Sequence, residues 1–369
     1  MSAAGPTAAV VPTSRTGGPT LAAVVPTYNY EAYLGAALDS LLAQDPPLQR
    51  VVVVDDGSSD GSVAVARSYG ERVEVVEQTN AGQLAACLTG LDRVDTDYVW
   101  FLDADDLAVP GATAQLAGAL VGRPVKVQFP LQAVDAAGTP TGSVFPTTRA
   151  GYDERAMARD NAVLGFYTCP PTSGNVYRRD VLLGLDRAAL DPRDFIDGPA
   201  TLVLPHLGGT IVCLERPLAR YRVHGANHSQ WFRPTPERLQ GEVDWFERRW
   251  QQVCALLDRD RPPFGDRRPA YVLERRLMVA ALQGRWWLLP DAVALVARLA
   301  RSGLPRGQVL ALAVWAGLLL LPVPAWRTVL VESRRDPSRR PAALRAAVSA
   351  LRRLRAAGPG VLRPGGRRA

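Results

Sequence analysis

The sequence predicts an α/β fold: a mostly parallel, twisted sheet flanked by helices, followed by a C-terminal helical extension. Three observations carry this. Short apolar runs alternate with helical patterns through the first hundred residues, a polar or acidic cluster ends three of those runs, and strand patterning gives way to helical patterning near Trp231. With 369 residues, 47% hydrophobic and 21% charged, the chain is globular in composition, which excludes a disordered, collagen-like or disulfide-scaffold protein.

The elements follow in order. Leu21 to Val25 is an apolar run ended by Pro26, and Ala32 to Leu42 places Leu34, Leu38, Leu41 and Leu42 on one helical face. Val51 to Val54 is all valine, as in a strand buried on both faces, and Asp55-Asp56-Gly57-Ser58-Ser59-Asp60 breaks it before a helix over Ser62 to Ser68. Val73 to Val76 and Tyr98 to Leu102 are further strands, with a helix over Gln83 to Leu91 between them. Strands alternating with helices form parallel crossover units, whose ligands bind beyond the carboxyl ends of the strands. Pro26 to Asn29, Asp55 to Asp60, and Asp103 to Asp106 stand at those ends.

Val125 to Leu131, Gly174 to Tyr177 and Thr210 to Leu214 continue the same domain, and Glu237 to Leu257 and Tyr271 to Leu289 are amphipathic helices beyond it. The expected division is a leader over 1–20, an α/β domain over 21–230, a helical extension over 231–300, an apolar interfacial helix over 301–327 and a basic tail over 328–369. The leader has no continuous apolar core, so it is expected to be a loose segment rather than a signal peptide. Cys87, Cys169, Cys213 and Cys254 lack metal or disulfide spacing, so a reducing, cytoplasmic setting is expected.

From Arg327 onward twelve arginines face only Glu332 and Asp336, so the net charge of +7 belongs to the tail and the body is slightly acidic. Lacking interleaved aromatics, that tail does not fit a nucleic-acid surface and suits an anionic membrane better. Lys126 is the only lysine, which together with abundant alanine is attributed to codon bias. Between Arg306 and Arg327 no residue is charged, but Pro322 and Pro324 should end the helix near Leu321. About 16 residues at 1.5 Å give about 24 Å, short of the ~30 Å hydrocarbon core. Such a helix lies in the membrane interface, with Trp286, Trp287, Trp315 and Trp326 at headgroup level, or packs on protein.

Asp103 and Asp105, two residues apart just past a strand, suit Mg²⁺ or Mn²⁺ completed by water and phosphates; the same spacing also serves a helix cap. Asp56, at a strand tip, can accept hydrogen bonds from a base or ribose, or Asp55 and Asp60 can simply form a turn and a cap. Tyr28 offers a ring for stacking on a nucleobase.

The segments VVPTYNYEAYLGAALDSLLAQ, VVVVDDGSSDGS, QTNAGQ and YVWFLDADD, in that order over about 22–106, resemble the nucleotide-binding half of a family 2 glycosyltransferase with a GT-A fold. The run from Ser173-Gly174-Asn175 through Asp197 to YRVHGANHS resembles its acceptor half, less strictly. The resemblance implies an inverting, metal-dependent transfer of a sugar from a nucleotide-diphosphate donor, a UDP-, GDP- or dTDP-sugar, to a hydroxyl acceptor. A saccharide or lipid-linked acceptor at the inner face of the cell membrane fits the tail. By the same resemblance Pro26 and Tyr28 border the base, Asp56 hydrogen-bonds it, Asp103 holds the ribose or shares the metal, and Asp105 ligates the metal. His224 adds a metal contact or is structural, and Arg222 faces phosphate. The catalytic base falls on Asp197, with Asp194 as substitute, in Arg193-Asp194-Phe195-Ile196-Asp197-Gly198. Ile196 stands where the family has Glu, so a catalytically degenerate scaffold or glycan-binding protein is the alternative. A nucleotidyltransferase is disfavoured because the first strand end has neither glycine nor cation, and an NAD enzyme because no G-x-G-x-x-G follows a strand.

Overall fold

The computed structural model describes residues 18–148, 150–224, 234–285, 289–321 and 323–335. Most of the leader, Trp286, Trp287 and the tail beyond Arg335 lie outside the described residues. The chain runs β1 (Leu21–Thr27), α1 (Glu31–Leu42), β2 (Arg50–Asp55), α2 (Ser62–Arg67), β3 (Glu74–Glu77), α3 (Gln83–Arg93), β4 (Tyr98–Phe101), β5 (Leu107–Ala108) and α4 (Ala112–Leu120). It continues through β6 (Lys126–Gln128), β7 (Leu131–Val134), β8 (Pro140–Phe145), α5 (Glu154–Leu164), β9 (Asn175–Arg178), α6 (Arg179–Leu183), α7 (Pro199–Leu207), β10 (Ile211–Cys213) and β11 (Ala219–Arg222). Five of its helices follow one another thereafter: α8 (Pro236–Leu256), α9 (Ala270–Leu282), α10 (Leu289–Leu299), α11 (Arg306–Leu319) and α12 (Pro324–Arg335).

The main sheet has the order β10-β6-β9-β4-β1-β2-β3, parallel except where β9 pairs antiparallel with β4 and β6. Every residue of β1 is buried, as its unbroken apolar run requires of a central strand. The β1–β2 register sets Thr27 beside Asp55, so the two strands end level with each other. The Asp56 N–H then donates to Thr27 O at 2.8 Å. A second sheet, β5-β11-β7-β8, pairs Arg220 with Leu107. That pairing joins the acidic turn after β4 to the segment leading into His224, more than a hundred residues away in sequence.

Beneath the main sheet, Leu34, Leu38 and Leu41 of α1 pack with Val51, Val53, Trp100 and Leu116 in one core. On the other face α3 comes close to β1 because residue 90 is glycine: a Cβ there would collide with Val24 Cγ1 and sit 3.2 Å from Val54 Cγ2.

The chain divides into two compact units that are interleaved in sequence. The first comprises 1–158, 167–224 and 252–260, and the second 159–166, 225–251 and 261–369. The second unit has its own core, including Leu277, Leu295, Leu319 and Val331. Here two sequence expectations, the reach of one helix and the place of Trp315, are corrected. The helix predicted to reach Leu289 stops at Leu282, where Gly284, at φ +68°, takes the left-handed conformation that ends helices. The apolar helix α11 ends at Leu319, close to the expected end near Leu321, and α12 follows with Pro324 at its first position. Trp315 is buried and donates from Nε1 to Leu330 O at 3.1 Å, so it is a core residue rather than a headgroup anchor. Trp326 is 56% exposed. Among the described residues no helix is long and apolar enough to cross a membrane.

The Gly90→Ala variant should lose about 1–2 kcal/mol of stability, because overpacking costs about 1–3 kcal/mol and the better helix propensity of alanine returns only part. Chemical denaturation of the two proteins measures the difference, and equal midpoints would contradict the close approach.

Candidate functional site

The loops after β1 and β2 are stitched together before anything binds. Asn29, at φ +60°, accepts from Ser59 N at 2.8 Å while its own N–H donates to Ser58 Oγ at 2.9 Å. Glu31 N and Ser62 N both donate to the Asp60 carboxylate at 3.0 Å, which answers the helix-start N–H groups of α1 and α2. Asp55 accepts from Ser58 N at 2.9 Å. Pro26 is buried in β1, whereas the Tyr28 ring is 47% exposed at the strand end.

Asp56 is 4% exposed and is gripped by the segment after β3. Its Oδ1 accepts from Gln78 Nε2 and Ala81 N, and its Oδ2 from Gly82 N, all at 2.8 Å. A carboxylate offers about four acceptor positions, so the grip still leaves room on Oδ2 for another donor. Gly82 is required where it stands: at φ +98° a Cβ would lie 2.8 Å from Pro192 O. Directly after it, Gln83 Nε2 donates to Asp103 Oδ1 at 2.7 Å, and Leu84 N donates to Asp194 O at 3.2 Å. One short stretch thus connects Asp56, Asp103 and the 192–197 segment.

The acidic turn follows β4. Asp103 N donates to Ser173 Oγ at 3.0 Å, and Arg222 N donates to Asp106 Oδ1 at 2.9 Å. His224 Nε2 lies 2.9 Å from Asp105 Oδ2, with its ring stacked on Tyr33 at 4.6 Å and edge-on to Tyr30 at 6.3 Å. Arg222 Nε donates to Asp105 O at 2.8 Å and Nη1 to Ala136 O at 2.7 Å, while its guanidinium covers the Tyr33 ring at 5.2 Å. These bonds make Arg222 a brace for the turn.

The turn concentrates negative charge. Burial, then the Asp106, Asp105 and Asp197 carboxylates, push the Asp103 carboxyl well above its ordinary range. Burial and Asp105 do the same to Asp106. Burial followed by Asp105, Asp103 and Asp106 likewise raises the Tyr30 hydroxyl. Like charges held this close favour a bound cation. Among the described residues no three His, Cys, Asp or Glu side chains form a ready metal cage. Mg²⁺ and Mn²⁺ do not need one, since one or two carboxylates with phosphate and water complete their shell. Asp105 and His224, already adjacent, fit that requirement, and Asp103 stands two residues from Asp105.

Asp197 is half-buried immediately before Gly198 and α7, and its charge reaches Asp103. Asp194 is buried in its own turn, where Oδ1 accepts from Phe195 N at 2.8 Å. Ile196, in the position where a second carboxylate was expected, is fully buried. The structure therefore brings Asp103, Asp105, Asp106, Asp197, His224 and Arg222 into one electrostatic neighbourhood and ties Asp56 to it. Sequence reasoning missed Gln83, Ser173, Tyr30 and Tyr33. All four lie inside the quoted motifs: Tyr30 and Tyr33 in the first segment, Gln83 as the last residue of QTNAGQ, and Ser173 at the start of Ser173-Gly174-Asn175.

Residues 22–182 match the family described as Glycosyl transferase family 2. The chain is 32% identical over 221 residues to an uncharacterized glycosyltransferase, alr2836, of Nostoc sp. (strain PCC 7120), covering 56% of this chain and 66% of that one. It is 43% identical over 86 residues to the glycosyltransferase GlyA of Streptococcus pneumoniae serotype 4, covering 22% of this chain and 12% of that one. The chain thus spans less than two thirds of the length of either relative. Among solved structures, S. aureus TarS 1–349 in complex with UDP-GlcNAc is similar at a TM-score of 0.49 and 18% identity, over 86% of this chain and 92% of that one.

Because folding raises the Asp103 carboxyl, its ionised form costs stability at neutral pH, and that cost disappears once pH falls below the unfolded carboxylate value. In metal-free buffer Asp103→Asn should therefore melt above the parent protein at pH 7, with the gain gone by about pH 4. A lower melting temperature at pH 7 would contradict the crowding of charge at this turn.

Proposed function

Residues 22–182 form a family 2 glycosyltransferase domain, and from that premise we propose that the chain moves a sugar from a nucleotide-diphosphate donor to a hydroxyl acceptor, with inversion at the sugar carbon. The observation that carries this reading is the cluster of Asp103, Asp105, Asp106 and His224 at the end of the sheet, tied through Gln83 to the Asp56 loop. In this reading Pro26 and the exposed Tyr28 border the base of a UDP-, GDP- or dTDP-sugar. Asp56 accepts a hydrogen bond from that base while it shapes the 78–82 loop. Asp103, oriented by Gln83, faces the ribose.

Asp105 and His224 would hold a divalent cation, Mn²⁺ or Mg²⁺, with Asp103 beside them; the cation, when bound, offsets the charge that develops on the departing diphosphate. Arg222 fixes the turn that carries Asp105 and adds positive charge near the diphosphate. Asp197 takes the proton of the acceptor hydroxyl as it attacks opposite the leaving group, and its half-buried place beside the acidic cluster supports that role. Asp194, whose carboxylate closes its own turn, is the reserve assignment. The buried Ile196 leaves Asp197 without the neighbouring acid and favours, as the second reading, a glycan-binding scaffold without turnover.

On the second unit, Leu310, Val314, Leu321, Val323 and Trp326 are exposed at the α11–α12 hairpin, and the arginine-rich stretch follows directly. We propose that this hairpin rests on an anionic membrane surface, each nearby arginine adding about 1 kcal/mol. A lipid-linked or cell-envelope saccharide at the inner membrane face is then the acceptor.

Two experiments test these assignments. Asp105→Asn should lower Mn²⁺-dependent turnover of nucleotide sugars by about a hundredfold or more, since the group acts on the charge formed in the reaction. Full turnover in that variant removes the metal assignment, and no turnover of any donor by the parent supports the scaffold reading. The double change Leu310→Asp with Trp326→Asp, chosen because deletion would remove the buried Trp315 and Val331 from the core, should weaken binding to phosphatidylglycerol vesicles about tenfold or more. Undiminished flotation would end the membrane claim.

A further inference from the structure

Lys126 lies on β6 and is fully buried. Its Nζ donates to Gln128 Oε1 at 3.1 Å, Tyr167 OH at 3.0 Å and Cys169 Sγ at 3.1 Å. The ammonium also lies 5.2 Å and 5.6 Å from the ring centroids of Tyr167 and Tyr177. Each of those partners is a neutral group. A buried ammonium without a bonded carboxylate is costly, and that cost asks for a reason in a chain whose other cationic side chains are all arginine.

Two routes through tyrosines supply one, the first starting at a hydrogen bond to Tyr167 and the second at the cation–π contact with Tyr177. Tyr167 OH donates to Thr201 O at 3.2 Å. Tyr177 OH and Thr201 Oγ1 are 2.7 Å apart, and Thr201 Oγ1 donates onward to Ile196 O at 3.4 Å. Thr201 sits in the first turn of α7, and Ile196 adjoins Asp197. The ammonium and its tyrosines therefore underlie the turn that carries the acceptor-activating carboxylate. The charges agree with this placement. Burial raises the Cys169 thiol, the Lys126 ammonium opposes that rise, and the Asp197 carboxylate adds to it. The other titratable groups facing the pocket are Tyr152, Tyr167, Tyr177 and Cys213. The Asp197 and Asp103 carboxylates repel each other, and a fixed cation behind the Asp197 turn offsets that push without entering the donor site.

We infer that Lys126 is a positioning residue for the transfer reaction: its buried ammonium, relayed through Tyr167 and Tyr177 to Thr201, holds the 196–201 turn so that Asp197 stays at the acidic cluster. This rests on the proposed role of Asp197.

The test compares the full-length parent with Lys126→Met, Tyr167→Phe and Asp197→Asn. Transfer kinetics, affinity for UDP with Mn²⁺ and thermal melting are measured for each. Lys126→Met should melt cooperatively and lose about tenfold to a hundredfold in kcat, while donor KM and UDP affinity stay within about twofold, as for a misplaced reacting group. Tyr167→Phe, which keeps the ammonium and cuts one relay, should show the same split with a smaller loss. Unchanged kcat in Lys126→Met overturns the inference, and so does a loss in which KM rises and the melting temperature falls together. Should Lys126→Met fail to fold, unchanged kcat in Tyr167→Phe overturns it. Full turnover in Asp197→Asn overturns the base assignment and this inference with it. Loss in Asp197→Asn beside full turnover in Lys126→Met overturns this inference alone.

Discussion

The three hydrogen bonds received by the Asp56 carboxylate organise the site. β2 is fixed by parallel pairing on both sides, so its tip is a rigid anchor, and Asp56 uses that anchor to hold Gln78, Ala81 and Gly82. Bonds from N–H groups to a buried carboxylate are about twice as strong as neutral ones. The consequence reaches well past the loop. With Gly82 set, α3 begins where Gln83 meets Asp103 and where Leu84 N finds the Asp194 carbonyl. The 78–84 stretch, the acidic turn and the 192–197 segment, far apart in sequence, are registered through this one carboxylate.

A second constraint is electrostatic. The fold retains Asp103 and Asp106 in a neighbourhood where burial and the charges of nearby carboxylates, Asp105 and Asp197 among them, disfavour their ionised forms. Its cations do not simply neutralise them. Arg222 donates its side-chain bonds to the main-chain carbonyls of Asp105 and Ala136, and the Lys126 amine is bonded to neutral groups. The side chains of Arg222 and Lys126 thus brace the turns, while burial and neighbouring carboxylates keep Asp103 and Asp106 above the ordinary carboxylate range. Sites that give up stability in this way are where binding and chemistry are expected.

Much of the first unit was legible because its strands are buried on both faces. The valines of β2 and the apolar run of β1 announced themselves, and the observed ends differ from the expected ones by one or two residues. The acidic turn was legible for the same reason, since it interrupts such a run. What depends on pairing between distant segments was not. That Arg222 braces the acidic turn was not legible, because nothing in its local sequence reveals that β11 pairs with β5 and carries it beneath Asp105. Lys126 was put down to codon bias, since the tyrosines and threonine around it come from separate elements. In the second unit, the apolar pattern running past Gly284 hid the end of α9, and Trp315 looked like an interfacial aromatic until α12 was seen to cover it.

The central claim is that the Asp56 loop and the Asp105–His224 pair together form one donor site. A crystal structure of the protein soaked with UDP and Mn²⁺ tests it most directly. The account predicts the uracil beside Asp56 and Tyr28, with the cation and diphosphate against Asp105 and His224. Nucleotide density seated elsewhere, with these side chains unengaged, would contradict it.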